Sequence, residues 1–216
     1  MIIQYFGGTS FRIQTKPEGR LTEESILFID PDEKTAGIKN IYSESDIVFF
    51  TSFQSQEKRS QLKGNPMIIY LPGEYSYRKI NIIGYDCEYT EGKNCGDKCN
   101  YCIDTEDIRI VHLGTCMDIA KESYSQINNC DILMVSIGGM DAMDVKKSTE
   151  IIRTIEPKII IPMYYGIPMG YGQENSKEAF YSEMAIKDCE VLPKLTIKTK
   201  DITNRNMDIV ELLPQI

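Results

Sequence analysis

Histidine is almost absent from this 216-residue sequence, which has only His112, and tryptophan is absent altogether. A single imidazole excludes any metal centre that is built from several histidines. Long apolar runs are also missing, since no stretch reaches the roughly 18 apolar residues that a membrane-spanning helix needs. Residues 1–6 lack a basic segment and a small-residue cleavage site, so they predict a first β-strand rather than a signal peptide. We therefore expect no membrane partner.

Basic residues are fewer than acidic residues: the sequence has 24 Lys and Arg residues and 32 Asp and Glu residues, which gives a net charge of −8 at pH 7. The basic residues are scattered and form no patch in the sequence. An acidic surface repels phosphate backbones, so we expect no nucleic-acid partner. The seven cysteines are an odd number. In a chain of this size they predict reduced thiols in a cytoplasmic protein rather than a disulfide framework.

Short apolar runs typical of β-strands recur along the chain. Residues 11–15 alternate between apolar and polar, and residues 46–50 form a continuous apolar run, typical of a strand covered on both faces. Similar runs occupy 26–29, 67–70, 79–83, 108–112, 132–135 and 158–161. Helical periodicity predicts a helix at 141–156 and shorter helices at 120–128 and 176–185. The pattern predicts one layered α/β domain over residues 1–216, with a cysteine-containing loop at about 90–100.

The segment after the run at 46–50 reads Thr51-Ser52-Phe53-Gln54-Ser55-Gln56-Glu57. In register, it resembles the Thr-His-x-His-x-Asp-His motif of the metallo-β-lactamase-fold metal-dependent hydrolases, in the branch that contains the ascorbate-phosphate lactonases. Further segments at 5–13, 29–31, 72–75, 108–114 and 159–165 are similar to segments of that family in the same order. The resemblance implies a four-layer αββα sandwich: two mixed sheets with helices outside, and a metal site at one rim where strand-end loops converge.

At the metal positions that the resemblance implies, this sequence has other side chains. Ser52, Gln54 and Glu57 stand where histidines are expected, and Gln56 stands at the aspartate. Thr115 replaces the bridging aspartate, and Tyr164 replaces the final histidine. Neutral Ser, Gln, Thr and Tyr side chains are poor zinc ligands. We interpret the set as a vestigial cleft, which consists of Asp30, Ser52, Gln54, Gln56, Glu57, Thr115 and Tyr164.

Two residues near these positions have expected structural roles. Asp30 matches an aspartate that supports loop structure in relatives. His112 matches a histidine beside the metal aspartate, and we expect it to be a hydrogen-bonded framework residue.

The favoured hypothesis is a protein that has lost zinc binding and hydrolase activity and that serves as a binding, regulatory or assembly module. We expect no cofactor; its partner would be an unknown small molecule or protein, or a second copy of the chain. One alternative is a metal-dependent hydrolase of the phosphodiester or lactone class with an atypical, oxygen-rich site. Another is an enzyme of a different class, in which Glu57 transfers protons beside Tyr164.

A third alternative concerns the cysteines. Cys95, Cys99 and Cys102 have the spacing C-x3-C-x2-C, and Cys87 could approach as a fourth ligand. Such a cluster can bind zinc or an iron–sulfur centre. Four thiolates leave no open position, so this site would be structural. The competing interpretation is a set of free thiols.

Overall fold

The computed structural model describes residues 1–17, 23–31, 44–52, 62–87, 98–119, 121–139, 142–165 and 175–215. Fourteen strands lie in these segments. The first seven are β1 (Ile2–Gly7), β2 (Ser10–Thr15), β3 (Ser25–Ile29), β4 (Ile47–Phe49), β5 (Met67–Ile69), β6 (Gly73–Tyr77) and β7 (Ile80–Asp86). The others are β8 (Cys99–Thr105), β9 (Ile108–His112), β10 (Ile132–Ser136), β11 (Ile159–Met163), β12 (Glu190–Leu192), β13 (Leu195–Thr196) and β14 (Asp208–Leu212).

The described segments also contain four helices, α1 (Lys121–Ile127), α2 (Val145–Ile155), α3 (Ser176–Glu183) and α4 (Thr199–Ile202). The helix that the sequence predicts at 141–156 begins at Val145 in the structure. Asp144 is its N-cap and accepts a hydrogen bond from the Lys147 amide at 2.8 Å. It ends at Glu156, which adopts a left-handed conformation before Pro157. No helix in the described segments is long and apolar enough to cross a membrane.

The strands form two mixed sheets, as predicted. One has six strands in the order β13-β1-β2-β3-β4-β5, and the other has eight in the order β12-β14-β11-β10-β9-β8-β7-β6. In the first sheet, β3, β4 and β5 pair in parallel. In the second, β9, β10, β11 and β14 pair in parallel, whereas β6 to β9 form an antiparallel meander.

Two apolar clusters fill the layers around the eight-stranded sheet. The larger contains residues from both sheets, including Phe11, Phe49 and Tyr101, and so forms the core between them. The other contains residues of the eight-stranded sheet together with Ile152 of α2 and Phe180 of α3. Helices thus cover the outer face of this sheet. The alternation of side chains along β8 divides its residues between the two clusters.

Candidate functional site

The turn between β1 and β2 joins the ends of strands from both sheets. The hydroxyl of Thr9 donates to Oδ2 of Asp30, which follows β3, at 2.8 Å. The carbonyl oxygen of Thr9 lies 3.0 Å from Nε2 of His112, the last residue of β9. The amide of Tyr164, which follows β11, donates to the carbonyl oxygen of Gly8 at 3.1 Å. The carboxyl ends of β3, β9 and β11 therefore meet at one rim, as the family resemblance implies.

Asp30 is a buried carboxylate that organises this rim. Its Oδ1 accepts a hydrogen bond from the Thr51 amide at 2.7 Å, and its Oδ2 accepts from the Thr51 hydroxyl at 2.5 Å as well as from Thr9. Its own backbone is left-handed, with φ of 46°, and its amide donates to the Phe49 carbonyl. These contacts agree with the loop-supporting role expected for Asp30.

His112 is fully buried, and both nitrogens of its ring contact the backbone. The Gly114 amide donates to Nδ1 at 3.1 Å, so Nδ1 is an acceptor and Nε2–H is the donor to Thr9. Burial lowers the pKa of His112 to about 4, and the backbone contacts oppose that shift. The ring is therefore neutral near pH 7, and the structure agrees with the expected framework role.

Ser52 and Thr115 lie close together, with a lysine between their segments. Ser52 pairs with Lys98 in an antiparallel bridge, and the Lys98 ammonium donates to the Thr115 carbonyl oxygen at 2.8 Å. The residues that precede them, Thr51 and Gly114, also pack closely. A Cβ added to Gly114 would lie only 2.8 Å from Cβ of Thr51. Both Ser52 and Thr115 are partly buried.

Sequence reasoning missed Lys98. Its place at the rim depends on pairing with Ser52, a residue distant along the chain, and no local pattern signals it.

Tyr164 is almost fully buried, at 8% exposure, and belongs to the core cluster between the sheets. Its backbone is left-handed, with φ of 59°. The phenol oxygen of Tyr5 lies 3.4 Å from its amide nitrogen. The tyrosine at the expected position of the final histidine thus packs into the core between the sheets. Gln54, Gln56 and Glu57 lie outside the described residues, and the proposed proton transfer by Glu57 stays a prediction.

The described part of the rim does not fit a zinc ion. Ser52, Thr115 and Tyr164 are neutral, and the Lys98 ammonium lies 2.8 Å from the Thr115 carbonyl oxygen. The carboxylate of Asp30 already accepts three hydrogen bonds. Across the described ranges, no group of three or more His, Cys, Asp or Glu residues is arranged to hold a metal ion.

The structure also separates the cysteines that were considered as a metal site. Cys99 belongs to the core between the sheets, whereas Cys102 belongs to the cluster between sheet and helices. Three residues apart on one strand, they point to opposite faces and cannot share one ion. Burial raises the pKa of each to about 12, which keeps both thiols protonated. Cys95 lies outside the described residues.

The side chains of Cys87 and Cys116 are in contact, with a Cα–Cα distance of 5.7 Å. Cys87 therefore lies beside a cysteine that is not part of the C-x3-C-x2-C cluster. The cysteine count did not reveal the pair because the partners are 29 residues apart and meet only through the sheet. The other described cysteines, Cys99, Cys102, Cys130 and Cys189, are free thiols.

Comparison with known proteins agrees with the geometry of the rim. Residues 2–164 match the family described as the β-lactamase superfamily domain. A UPF0173 metal-dependent hydrolase of Carboxydothermus hydrogenoformans is 27% identical over 114 residues, which are 50% of this chain and 50% of that protein. A UPF0173 protein of Pyrococcus abyssi is 34% identical over 89 residues, 41% of this chain and 40% of that protein. The matches thus span half or less of the length of these curated relatives.

Solved structures show the same fold. A structure from Thermotoga maritima, assigned to the Zn-dependent hydrolases of the metallo-β-lactamase superfamily, superposes with a TM-score of 0.77 at 22% identity. The alignment covers 99% of this chain and 100% of that one. Igni18, a metallo hydrolase of Ignicoccus hospitalis, has a TM-score of 0.60 at 16% identity and covers 86% of this chain and 92% of its own. At these identities the likeness establishes the fold alone.

Proposed function

The chain belongs to the β-lactamase superfamily domain family, and from that premise we propose that it retains the fold without zinc binding or hydrolase activity. In this proposal its rim serves as a binding site for a small molecule or a partner protein. The strand ends that lead to metal ligands in the family are present among the described residues, but the described side chains at these positions have other chemistry.

One observation carries the proposal: the Lys98 ammonium lies 2.8 Å from the carbonyl oxygen of Thr115. Thr115 is the residue that matches the family's bridging aspartate. A fixed positive charge beside that position repels a divalent cation.

The burial of neighbouring groups supports the same conclusion. Asp30 is 8% exposed and is engaged with two threonines, and Tyr164 packs in the core. Hydroxyls at Ser52 and Thr115, together with an ammonium, form a polar rim that suits a ligand with hydrogen-bond acceptors.

A second candidate is a metal-dependent hydrolase with an atypical site, of the phosphodiester or lactone class. The name of the Carboxydothermus hydrogenoformans relative, a metal-dependent hydrolase, favours it. In this case the ligands would have to come from Gln54, Gln56 and Glu57, with Glu57 as the charged group.

Metal analysis combined with a hydrolysis assay separates the two candidates. The protein is purified under reducing conditions, its zinc, manganese and iron are measured by mass spectrometry, and turnover of a generic phosphodiester and a lactone is measured with added zinc or manganese. We expect far less than one metal ion per chain and no turnover above the rate without protein.

Two variants show whether any metal binding and hydrolysis that is found depends on Glu57. Glu57→Gln removes the charged candidate ligand, and Glu150→Gln is the matched change on the exposed surface of α2. Stoichiometric metal with hydrolysis that Glu57→Gln abolishes and Glu150→Gln preserves would contradict the proposal and establish the hydrolase.

A further inference from the structure

The strand β6 forms one edge of the eight-stranded sheet. It pairs with β7 along one side, and no other strand in the described segments pairs with its second side. Glu74 and Ser76 of this strand are exposed, and so are the two residues of the turn that follows. Leu71, just before the strand, is 48% exposed. An exposed edge of this kind is able to pair with a strand from another chain.

The register of the hairpin determines which backbone groups of β6 point outward. The turn from β6 to β7 has two residues, and both have positive φ. Such a turn is closed by two residues that exchange both of their hydrogen bonds, here Tyr77 and Ile80. Every second residue of β6 therefore bonds to β7. The N–H and C=O groups of the residues between them, Glu74 and Ser76, point to the second side.

Two tyrosines attach β6 to the rest of the sandwich. Tyr75 and Tyr77 pack against the core between the sheets. The Tyr77 hydroxyl donates to Oδ1 of Asp46, which precedes β4 of the other sheet, at 2.9 Å, and the Tyr75 hydroxyl donates to the Leu71 carbonyl at 3.0 Å. The edge is thus already ordered as a strand, which lowers the entropic cost of pairing with a partner.

The sequence of this edge is complementary to itself in the antiparallel direction. It reads Glu74-Tyr75-Ser76-Tyr77-Arg78. In an antiparallel pair of copies centred on Ser76, Glu74 of each copy lies opposite Arg78 of the other. Tyr75 of each copy likewise lies opposite Tyr77 of the other. Opposite charges and aromatic pairs at facing positions stabilise antiparallel strands.

The backbone agrees with the same register. The outward groups of Ser76 exchange two hydrogen bonds with Ser76 of the second copy across a two-fold axis, and those of Glu74 fall at the next position where such bonds form. Sliding one strand by two residues in either direction separates Glu74 from Arg78. Sliding it by four brings like charges opposite each other. The register centred on Ser76 therefore satisfies both the backbone and the charges.

Arg78 is accessible for this contact. Its guanidinium lies 5.3 Å from the centre of the Tyr77 ring, and its Nη1 lies 3.6 Å from a carboxylate oxygen of Glu23. The side chains of Arg78 and Glu23 are 43% and 86% exposed, so this ion pair is weak and can be exchanged for one with Glu74 of a second copy.

We propose that the chain forms a two-fold symmetric dimer through β6, in which the eight-stranded sheets of two copies join into one sheet. Each copy has one such strand, so the assembly closes at two chains. The paired strands are five residues long, and two chains of net charge −8 repel each other. We therefore expect a moderate dissociation constant, on the order of 10 μM. The dimer does not rest on the function proposed for the rim.

Sedimentation equilibrium and hydrogen exchange of the full chain test the dimer. The weight-average mass should rise from one chain toward two between about 1 μM and about 300 μM protein. Exchange is measured at both concentrations by fragmentation mass spectrometry that resolves single amides. The amides of Glu74 and Ser76 should exchange about five-fold more slowly at the higher concentration. Those of Tyr75 and Tyr77 already bond to β7 and should not change.

Charge-swap variants test the register. Glu74→Arg and Arg78→Glu each place like charges opposite each other, so each should raise the dissociation constant about ten-fold or more. An equimolar mixture of the two variants should form a heterodimer, because opposite charges then face each other at both positions. The double variant should dimerise like the wild type. Glu150→Arg makes the same change of net charge on the exposed surface of α2 and should also dimerise like the wild type.

Three results would overturn the proposal. Protein that stays monomeric up to about 300 μM would show that the charges of this edge prevent association instead. A dimer that Glu74→Arg leaves intact, or that leaves the exchange of the Ser76 amide unchanged, would place the contact elsewhere. Assemblies larger than two chains would contradict the closed arrangement. The exchange measurement uses the wild type alone, so it decides the question even where a variant does not fold.

Discussion

Lowering the pH should destabilise this protein through His112 before most carboxylates titrate. The ring is fully buried, and its Nδ1 accepts a hydrogen bond from the Gly114 amide. A proton on Nδ1 would face an N–H donor and would place an unpaired charge in the interior. The folded state therefore resists protonation, whereas the unfolded chain accepts a proton at the ordinary pKa.

The pKa shift sets the size of the effect. Burial lowers the pKa of His112 from 6.5 to about 4. Stability that is fully present above pH 6.5 is therefore lost as the pH falls toward 4, because the unfolded state binds more protons in that range. At about 1.4 kcal/mol per pH unit, the full loss is about 3 kcal/mol, of which about 2 kcal/mol is reached at about pH 5.

The chain has no other histidine, which makes the measurement direct. In ¹⁵N-labelled protein, the ring nitrogens should give the spectrum of a neutral Nε2–H tautomer down to about pH 5. Urea unfolding of the wild type and of His112→Gln at pH 7 and pH 5 then isolates the contribution of this ring. The stability advantage of the wild type over the variant should shrink by about 2 kcal/mol at the lower pH. Titration of the folded-state ring near pH 6.5, or parallel pH dependence of the two proteins, would refute the argument.

Three substitutions test other parts of the structure by urea unfolding. Asp30→Ala leaves the hydrogen-bond donors of Thr9 and Thr51 without their acceptor and should lower the free energy of unfolding by about 3 kcal/mol; a change below about 0.5 kcal/mol would contradict its role. Gly114→Ala should cost about 2 kcal/mol or more, because φ is 53° and the new Cβ would meet Thr51; near-neutral behaviour would mean that this segment adapts. Glu211→Ala removes a carboxylate at 9% side-chain exposure from a lysine ammonium 2.6 Å away and from the Tyr181 hydroxyl that donates to it at 2.7 Å, and we expect a loss of about 2 kcal/mol because that lysine is partly exposed; an equal loss in high salt would show that the ion pair does not cause it.

The sheets could be predicted from the sequence because their signals are local. The alternation in 11–15 became β2, and the continuous run at 132–135 became β10, buried at every position. The C-terminal strands β12, β13 and β14 went unpredicted. β12 and β13 are only three and two residues long, and β12 is half exposed, so neither has enough apolar residues to form a pattern. In β14, the charged residues Asp208 and Glu211 interrupt the apolar run, although Glu211 is buried.

The residues that make up the site were harder to predict from the sequence than the strands, because the site depends on contacts between distant segments. The register with the family motif identified Ser52, Thr115 and Tyr164 as rim positions. It did not identify Lys98, whose ammonium reaches Thr115 only because the chain at 98–99 pairs with the end of β4. The contact between Cys87 and Cys116 depends on the same long-range arrangement, since the two residues lie on opposite sides of β8 and β9 along the chain.

The contacts that shape this rim explain how the fold tolerates altered metal positions. Thr9, Asp30 and His112 hold the strand ends together through hydrogen bonds that involve the backbone or one another, and none of them stands at a position that matches a metal ligand. A metal that bound here would add to an arrangement already fixed by these groups. If zinc binding has been lost, as we propose, the replaced ligand side chains would change the chemistry of the rim and leave its geometry intact. Substitution of Asp30, in contrast, should damage the fold itself.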